Sequence, residues 1–273
     1  MATPIGNLGD LSPRARQILA SVRLILAEDT RHARRLLNSQ GVATPTRSLH
    51  EHNEAAEVPA LLARLGAGDD VALVSDAGTP LLADPGYRLV RACREAGISV
   101  LAVPGPSAVA AALSVSGQPP YPFTFAGFLP AGVSARRSAL EALAGLRHTI
   151  VVFVSPHRLA AELAACSDTL GASRDAALLA ELTKLHERCH RGTLAELAAW
   201  AAVADARGEY TLVVGPPEPV PAPAVDSAAA HRAFEQALAS GLELSEARRH
   251  AARALGITRR ELYSLLHQTG PTG

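Results

Sequence analysis

The first two thirds of the chain alternate short apolar runs with stretches that carry helix start and stop signals. Apolar runs at residues 22–27, 71–74 and 98–103 are separated by stretches with capping residues and glycines at their ends. This alternation is typical of a parallel sheet flanked by helices. It constrains the fold more strongly than any other feature of the sequence, and it predicts an α/β protein.

Capping residues mark where the predicted helices begin. Ser12 followed by Pro13 combines an N-cap residue with a proline at the first helical position. Thr30 is the predicted cap of a second helix, and a later helix is predicted to begin at Asp84-Pro85. The helices predicted at Thr30 and Asp84 each lie between two apolar runs, as a parallel sheet with crossover helices requires.

The second half of the chain has more strand relative to helix. Thr193 and Glu196 have the spacing of a capping box and predict one helix start there. Four further strands are predicted at residues 123–127, 148–154, 176–181 and 210–214. We therefore expect a mixed sheet in this half.

Proline- and glycine-rich segments divide the chain. Residues 116–122 and the run GPPEPVPAP at 215–223 are typical of connections between domains. We predict an N-terminal α/β domain (1–116), a second α/β domain (117–215), a proline-rich linker (216–225) and a small helix-turn-helix-like module (226–273). In that module, helices are predicted at 245–255 and 258–268, the second with a capping box of Thr258 and Glu261.

Composition excludes several classes of protein. The 273 residues are 48% hydrophobic, enough for a full core, but no apolar run reaches the roughly 18 residues of a membrane span. The N-terminus lacks a signal segment. Three cysteines stand far apart without a CxxC pair, which argues against a disulfide scaffold or a zinc site and fits a reducing cytosol. The 26 basic and 26 acidic residues cancel, so RNA would have to bind at local patches.

Three Gly/Pro loops follow predicted strands or begin the chain. They span residues 3–10, 75–80 and 104–108. In open α/β sheets, ligands bind outside the carboxyl ends of the strands, and glycines there let the backbone approach the ligand closely. Neither GxGxxG nor GxxxxGK[ST] occurs, so the sequence supports neither a dinucleotide fingerprint nor a P-loop. The three loops together predict a pocket.

Several strings in and around these loops carry a family resemblance: ATPIGNLGDLSPRA, AEDTRHARRLL, VALVSDAGTPLLADPGYRLVRA, PGPSA and ELTKLHE. Over residues 2–215 the chain resembles the small-subunit rRNA ribose methyltransferase I family, which belongs to the tetrapyrrole (corrin/porphyrin) methylase superfamily. The resemblance implies a two-domain class III methyltransferase that binds S-adenosylmethionine in the cleft between its domains. It further implies a cytoplasmic homodimer that methylates the ribose 2′-oxygen of a decoding-region cytidine in 16S rRNA, within the 30S subunit.

The resemblance also implies which residues contact S-adenosylmethionine. They lie in the three loops and near the ends of two strands of the second domain. The carried-over residues are Pro4, Gly6, Asn7, Asp76, Gly78, Thr79, Pro80, Ser107, Ala108, Ser155, Leu182 and Thr183. Small hydroxyls and backbone groups suit the polar edges of such a cofactor. No metal is implied.

The N-terminus departs from the family pattern. Related sequences place an apolar strand before the first loop, whereas here only Met1 and Ala2 precede Thr3. A parallel sheet without an inner strand would leave backbone groups unpaired. We therefore expect that the start codon is assigned several residues too late.

Methyl transfer to a ribose hydroxyl requires in-line alignment and a group that takes the proton. Lys184 is the single lysine among the 26 basic residues, and an ammonium can lose its proton on burial whereas a guanidinium cannot. Lys184 and Glu181 are the candidate catalytic residues, with Lys184 either accepting the proton or holding a neighbouring phosphate. Glu28, Asp29 and Asp76 are further candidates, the first two being equally suited to a helix N-terminus.

Arginine clusters are the candidate RNA contacts. Arg31, Arg34 and Arg35 share one face of a predicted helix, and Arg136 with Arg137 forms a second cluster. The C-terminal module offers a third set: Arg248, Arg249, Arg253, Arg259 and Arg260. Each set is equally compatible with an ordinary solvated helix face, and with the resemblance we favour phosphate contact.

Two further enzyme and binding hypotheses stay open. The shared fold allows a C-methyltransferase acting on a tetrapyrrole precursor, and the helical module allows a DNA-binding regulator that senses S-adenosylmethionine. His50 and His52 have the look of a metal site, but without a third ligand we favour a polar loop that faces the substrate.

Overall fold

The computed structural model describes residues 1–218 and 225–267. The chain divides into two compact units, Met1–Pro217 and Glu218–Gly273. Most of the predicted proline-rich linker lies outside the described residues, and the predicted boundary at residue 116 stays a prediction. Within the described part of the chain, no helix is long and apolar enough to cross a membrane.

A three-stranded parallel sheet opens the larger unit. Its strands are β1 (Leu24–Ala27), β2 (Thr46–Ser48) and β3 (Val71–Val74), in the order β2-β1-β3. The register places Ile25 opposite Ala72 and Thr46. The helices of this region are α1 (Pro13–Ser21), α2 (Thr30–Ser39), α3 (Glu54–Gly66), α4 (Tyr87–Glu95) and α5 (Ala108–Ser116). The predicted parallel α/β arrangement is confirmed here.

The helix starts match the prediction at Ser12, Thr193 and Thr258 and differ at Thr30 and Asp84. The Ser12 hydroxyl accepts a hydrogen bond from the Ala15 amide at 3.1 Å. Thr30 was wrongly predicted as a cap, since the Asp29 carboxylate accepts from the Arg31 amide at 2.8 Å and Thr30 is already helical. Helix α4 begins after Gly86, whose φ of 120° cannot belong to a helix, and not at Asp84-Pro85.

The predicted strand at 98–103 was wrong. Its residues form no β-ladder with any other described residue. Each end of the segment makes one backbone hydrogen bond. The Ile98 amide donates to the Cys93 carbonyl at 2.8 Å, and the Ala2 amide donates to the Val103 carbonyl at 3.2 Å. An apolar run becomes a strand only where a neighbouring strand pairs with it. Strand β2 was missed because its three residues are too few to show a pattern.

A five-stranded mixed sheet forms the second half of the larger unit, as predicted. Its order is β4-β5-β8-β6-β7, parallel between β4 and β5 and antiparallel elsewhere. The strands are β4 (Phe123–Phe128), β5 (Thr149–Val154), β6 (Asp175–Ala180), β7 (Arg188–Thr193) and β8 (Tyr210–Val214), and the helices are α6 (Val133–Ala144), α7 (Leu159–Leu170) and α8 (Leu194–Val203). Strand β7 was missed because its sequence RCHRGT lacks apolar alternation.

Both faces of this sheet are buried, which explains the continuous apolar runs of its central strands. Ile150, Leu178 and Leu212 pack on the face that meets α7 and α8. On the opposite face, the strands contact α5 and Ile5 of the first loop. Helix α5 therefore packs on the five-stranded sheet together with Ile5 of the first loop and Ala77 of the second.

The smaller unit is a three-helix module of α9 (Ser227–Ala239), α10 (Leu244–Ala254) and α11 (Arg259–Leu266). Ala230, Ala251 and Leu262 form its core. The predicted capping box is confirmed, because the Thr258 hydroxyl accepts from the Glu261 amide at 3.2 Å while the Glu261 carboxylate accepts from the Thr258 amide at 2.7 Å. Helix α9 adds a third helix to the predicted pair.

Candidate active site

A cavity of about 300 Å³ lies at the carboxyl ends of β3, β4 and β5. This is the edge at which open α/β sheets bind their ligands. Its wall combines apolar side chains with three carboxylates and four hydroxyl groups. The lining residues are Ile5, Asp76, Ala77, Gly78, Thr79, Leu82, Ala83, Asp84, Ser107, Ala108, Val109, Phe128, Phe153, Val154, Pro156, Glu209, Tyr210 and Thr211.

Hydrogen bonds join the three Gly/Pro loops to one another. Thr3 and Gly78 exchange both backbone bonds, at 2.8 and 3.0 Å, so the first loop is paired with the second. The Thr79 hydroxyl donates to the Pro106 carbonyl at 3.1 Å and thereby links the second loop to the third. Gly78 has a φ of 79°, which an L-residue adopts only with strain. The loops therefore form one preorganised wall.

The predicted cofactor residues divide into two groups by position. Asp76, Gly78, Thr79, Ser107 and Ala108 line the cavity. The others lie beside it, with chain neighbours such as Ile5, Val154 and Pro156 forming the lining in their place. The residues of this second group are Pro4, Gly6, Asn7, Pro80, Ser155, Leu182 and Thr183. All twelve stay predictions as cofactor contacts.

Gly6 connects the first loop to the ELTK segment. A Cβ at this position would lie 2.7 Å from the Leu182 carbonyl oxygen and 2.8 Å from the Thr183 hydroxyl. Such distances exclude any side chain at Gly6. The turn it contacts is itself strained, since Glu181 and Thr183 have positive φ values of 55° and 65°. Strain of this kind is often found at functional sites, and the turn as a functional element stays a prediction.

Lys184 is held between two carboxylates. Its Nζ lies 2.8 Å from Glu181 Oε1 and 3.1 Å from Glu209 Oε2. Burial by itself would lower the pKa of Lys184, but its hydrogen bonds to Glu181 and Glu209 outweigh that effect and raise the pKa above its ordinary value. The hydrogen bond from Lys184 lowers the pKa of Glu181. Lys184 is therefore a cation at neutral pH, which favours the phosphate-holding role over proton acceptance.

Two cavity carboxylates, Asp76 and Asp84, lie close to a further acid, Glu28. Burial, Glu28 and Asp76 together raise the pKa of Asp84 to about 6, although a hydrogen bond with Ser75 opposes the shift. Burial and the charge of Asp76 also raise the pKa of Glu28. Asp29 differs, because its hydrogen bonds with Arg31 hold its pKa well below the usual range. A carboxylate with a pKa near 6 is suited to exchange a proton near neutral pH.

Sequence reasoning missed Asp84, Phe128 and Tyr210 as cavity residues. Asp84 was assigned to a helix start, whereas it lies in a loop whose residue Ala83 has a positive φ of 69°. Tyr210 was predicted only as the first residue of a strand, and Phe128 follows directly after the strand predicted at 123–127. Their position at the ends of predicted strands was the one available signal.

The sequence of this chain is similar to those of known methyltransferases. The family described as Tetrapyrrole (Corrin/Porphyrin) Methylases matches residues 2–198. A Xylella fastidiosa protein named Ribosomal RNA small subunit methyltransferase I is 50% identical over 216 residues, covering 78% of this chain and 79% of that protein. The protein of the same name from Escherichia coli O157:H7 is 43% identical over 275 residues, covering 98% and 94%. The chain belongs to the ribosomal RNA small subunit methyltransferase I family, within the tetrapyrrole methylases.

Solved structures share the fold of this methyltransferase I family member at low sequence identity. A crystal structure of diphthine synthase has a TM-score of 0.62 and 13% identity, covering 78% of this chain and 87% of that one. Uroporphyrin-III C-methyl transferase from Thermus thermophilus, solved in complex with S-adenyl homocysteine, has a TM-score of 0.54 and 18% identity, covering 77% and 93%. The class III methyltransferase fold is confirmed.

The predicted RNA-contacting arginines of this family member differ in exposure. Arg31, Arg34 and Arg35 are exposed on one face of α2, with Arg31 paired to Asp29 at 2.7 Å. Arg137 is exposed and pairs with Glu141 at 2.9 Å. Arg136 was wrongly predicted, because its side chain is only 5% exposed and donates to the Ala131 carbonyl at 3.2 Å. It lies one helical turn before Leu140 on the buried face of α6.

His50 and His52 lie near one another without forming a metal site. Their ring centroids are 5.9 Å apart, and His50 Nδ1 accepts from the Asn53 amide at 3.2 Å. In residues 1–218 and 225–267, no group of three His, Cys, Asp or Glu side chains is placed to hold a metal ion. The two histidines belong to the loop before α3.

Proposed function

We propose that this protein transfers the methyl group of S-adenosylmethionine to the ribose 2′-hydroxyl of a cytidine in the decoding region of 16S rRNA. The observation that carries the proposal is the cavity at the strand ends in a chain 43–50% identical to proteins named Ribosomal RNA small subunit methyltransferase I. The substrate is the 30S subunit, the working form is a homodimer, and the compartment is the cytoplasm.

The cavity residues fit S-adenosylmethionine. Apolar side chains such as Val109, Phe153 and Val154 suit the adenine ring, as in most ligand pockets. The carboxylates of Asp76 and Asp84 suit a ligand that carries positive charge and ribose hydroxyls. The backbone of Gly78 forms part of the wall, and a Cβ there would approach Ile5 Cγ2 to 3.3 Å. These groups would hold the cofactor, which when bound supplies an electrophilic methyl group on a sulfonium.

The protein's own residues supply alignment, charge and proton acceptance. Lys184 is paired with Glu209, which lines the cavity, and from there the ammonium holds a phosphate of the RNA backbone. The exposed arginines of α2 add phosphate contacts. Asp84 accepts the proton of the 2′-hydroxyl, since its pKa of about 6 leaves it mostly ionised at neutral pH. Glu181 acts as a positioning residue that orients Lys184.

The test is methyl transfer from labelled S-adenosylmethionine to 30S subunits that lack the modification. Free 16S rRNA and a tetrapyrrole precursor serve as parallel substrates. Label on a cytidine ribose of the 30S subunit is the expected result. Label on the tetrapyrrole alone would replace the RNA substrate with the C-methylation alternative, and cofactor binding without transfer to any substrate would support a sensor.

A further inference from the structure

An exposed strip of cations and aromatic rings runs along the smaller unit. Arg259, Tyr263 and His267 follow one another at intervals of four residues and therefore share one face of α11. The Tyr263 and His267 rings are stacked, with centroids 3.9 Å apart and planes at 25°. The guanidinium of Arg248 on α10 lies over the Tyr263 ring, 5.8 Å from its centroid. We name these four residues the α11 strip.

The α11 strip is open to solvent and free of acidic partners. Tyr263 is 52% exposed, although a tyrosine of this kind is normally covered when its role is structural. Within the described part of the chain, neither Arg248 nor Arg259 forms an ion pair. The nearby acid Glu261 is occupied, because its carboxylate accepts from the amide and hydroxyl of Thr258. The positive charge of the strip is therefore not neutralised within the unit.

Arg260 lies three residues before Tyr263 on the exposed side of α11, next to the strip, whereas the other arginines of the unit lie elsewhere. Arg249 and Arg253 point away from the core stripe of Ala247 and Ala251, and Glu246 lies one helical turn before Arg249 on that face. Arg232 is exposed on α9. The combination of aromatic ring, histidine and uncompensated guanidinium occurs on the α11 strip and not on these faces.

We propose that the α11 strip binds unpaired RNA, with a base stacked on the Tyr263–His267 pair and backbone phosphates held by Arg248 and Arg259. Exposed aromatic faces flanked by cations are the usual platform for single-stranded nucleic acid, because every base has a π-face and every nucleotide a phosphate. The strip extends over roughly 12 Å of helix, which suits a short run of nucleotides. This inference rests on the proposed rRNA substrate and assigns the smaller unit a part in holding it.

The test uses the full chain and a short fluorescein-labelled single-stranded RNA, with fluorescence anisotropy followed over a series of salt concentrations. The double variant Arg248→Gln, Arg259→Gln should reduce the slope of log K against log salt by about 1.4, because each phosphate contact on a single strand contributes about 0.7. Arg232→Gln is the matched control, as it removes one arginine from the same unit, and it should leave the strip's contacts in place. Equal loss in the control, or an unchanged slope in the double variant, would overturn the proposal.

Substitutions of Tyr263 separate stacking from structure. Tyr263→Leu keeps an apolar side chain but removes the aromatic face, and should weaken RNA binding roughly tenfold. Tyr263→Phe keeps the aromatic ring and should bind RNA like the unchanged chain. If the hydroxyl of Tyr263 were what mattered, Tyr263→Phe would weaken binding as Tyr263→Leu does. Equal binding by Tyr263→Leu and the unchanged chain would overturn the stacking assignment. A preference for duplex DNA over single-stranded RNA in the unchanged chain would overturn it as well.

Cofactor titration and methyl transfer make the two possible failures distinguishable. All variants should bind S-adenosylmethionine like the unchanged chain, since the substitutions lie in the smaller unit. If methyl reaches the 30S ribose while the variants bind RNA normally, this inference alone fails. If no methyl reaches rRNA while the double variant still loses RNA affinity, the proposed activity alone fails.

Discussion

The ammonium of Lys184 lies 3.1 Å from the carboxylate of Glu209, a residue that lines the cavity. Glu181 holds both partners, because its carboxylate accepts from Lys184 Nζ at 2.8 Å and from the Glu209 amide at 2.9 Å. The cation is therefore kept at the side of the cavity by two acids from different segments of the chain. This arrangement gives the single lysine a defined position that a longer, forked guanidinium would not reproduce.

Lys184→Met should lower the free energy of unfolding near neutral pH by about 1 kcal/mol or less, since the pair is partly exposed. The lowered pKa of Glu181 means that its contribution is lost as pH falls below its ordinary value of 4.5. The raised pKa of Lys184 means that its contribution is lost as pH rises above 10.5. Urea unfolding should therefore show that the free energies of unfolding of the variant and the unchanged protein differ most near neutral pH. This difference should become smaller at both acidic and alkaline pH. A difference independent of pH would contradict the ionic role of Lys184.

Asp84→Asn should stabilise the protein more at about pH 7 than at about pH 4. The folded pKa of about 6 lies above the ordinary value of 3.8, so the folded state binds the proton more tightly and the stability of the unchanged protein falls as pH rises between these values. Urea unfolding at both pH values measures the effect. An equal effect of the substitution at both would show that Asp84 has an ordinary pKa.

Methyl transfer should lose activity below about pH 6 as Asp84 becomes protonated. Glu28→Gln should move this acid limb to lower pH, because it removes a negative charge that raises the pKa of Asp84. The measurement is a pH–rate profile with 30S subunits under saturating substrate. An acid limb that stays in place in both Glu28→Gln and Asp84→Asn would assign the proton transfer to another residue.

Gly78→Val should abolish binding of S-adenosylmethionine, because a side chain there meets Ile5 and enters the cavity wall. Gly68→Val is the matched control. Gly68 also has a positive φ, of 94°, but within the described part of the chain no heavy atom lies within 4 Å of the added Cβ. Both variants should lose stability from backbone strain, by about 1 kcal/mol or more. Isothermal titration calorimetry should show loss of S-adenosylmethionine binding in Gly78→Val alone. Loss of binding in both variants would show that backbone strain, and not the side chain in the cavity wall, is the cause.

Arg136→Ala should lower the free energy of unfolding by about 1–3 kcal/mol, because it empties a buried position on α6. Arg137→Ala should change it by less than about 0.5 kcal/mol, since that side chain is exposed and its pair with Glu141 is solvated. Thermal or urea unfolding of the two variants gives a direct comparison of adjacent arginines. If both substitutions change the free energy of unfolding by similarly small amounts, Arg136 is a surface residue like Arg137.

Sequence patterns predicted those strands and helix starts that depend on residues close together in the chain. The apolar runs of β5, β6 and β8 were visible because both faces of these strands are buried, and the capping boxes at Thr193 and Thr258 were visible because the residues that form them are neighbours in sequence. The run at 98–103 shows the limit of such patterns. Its apolar residues satisfy a strand pattern, yet a strand also needs a ladder partner, which a local pattern does not reveal.

The candidate site was predictable to the extent that glycine and proline mark its loops. The loops at 75–80 and 104–108 predicted a pocket, and Gly78 and Ser107 were named within them from the family resemblance; both line the cavity. Asp84 was missed because its raised pKa arises from burial and from Glu28, a residue far away in sequence. The sequence did not show which of the adjacent residues Arg136 and Arg137 is buried. That depends on how α6 is rotated against the sheet.

The sequence by itself determined the α/β class, the mixed sheet of the second half, the three loops and, through its motifs, the methyltransferase family. These follow from periodicity, capping and backbone requirements, which act between residues close together in the chain. Only the tertiary structure decided that helix α5 packs the first two loops against the five-stranded sheet, that Glu209 and Glu181 hold Lys184, and that the α11 strip is exposed. Charge, burial and stacking depend on which distant segments meet, and that is set by packing of the whole chain.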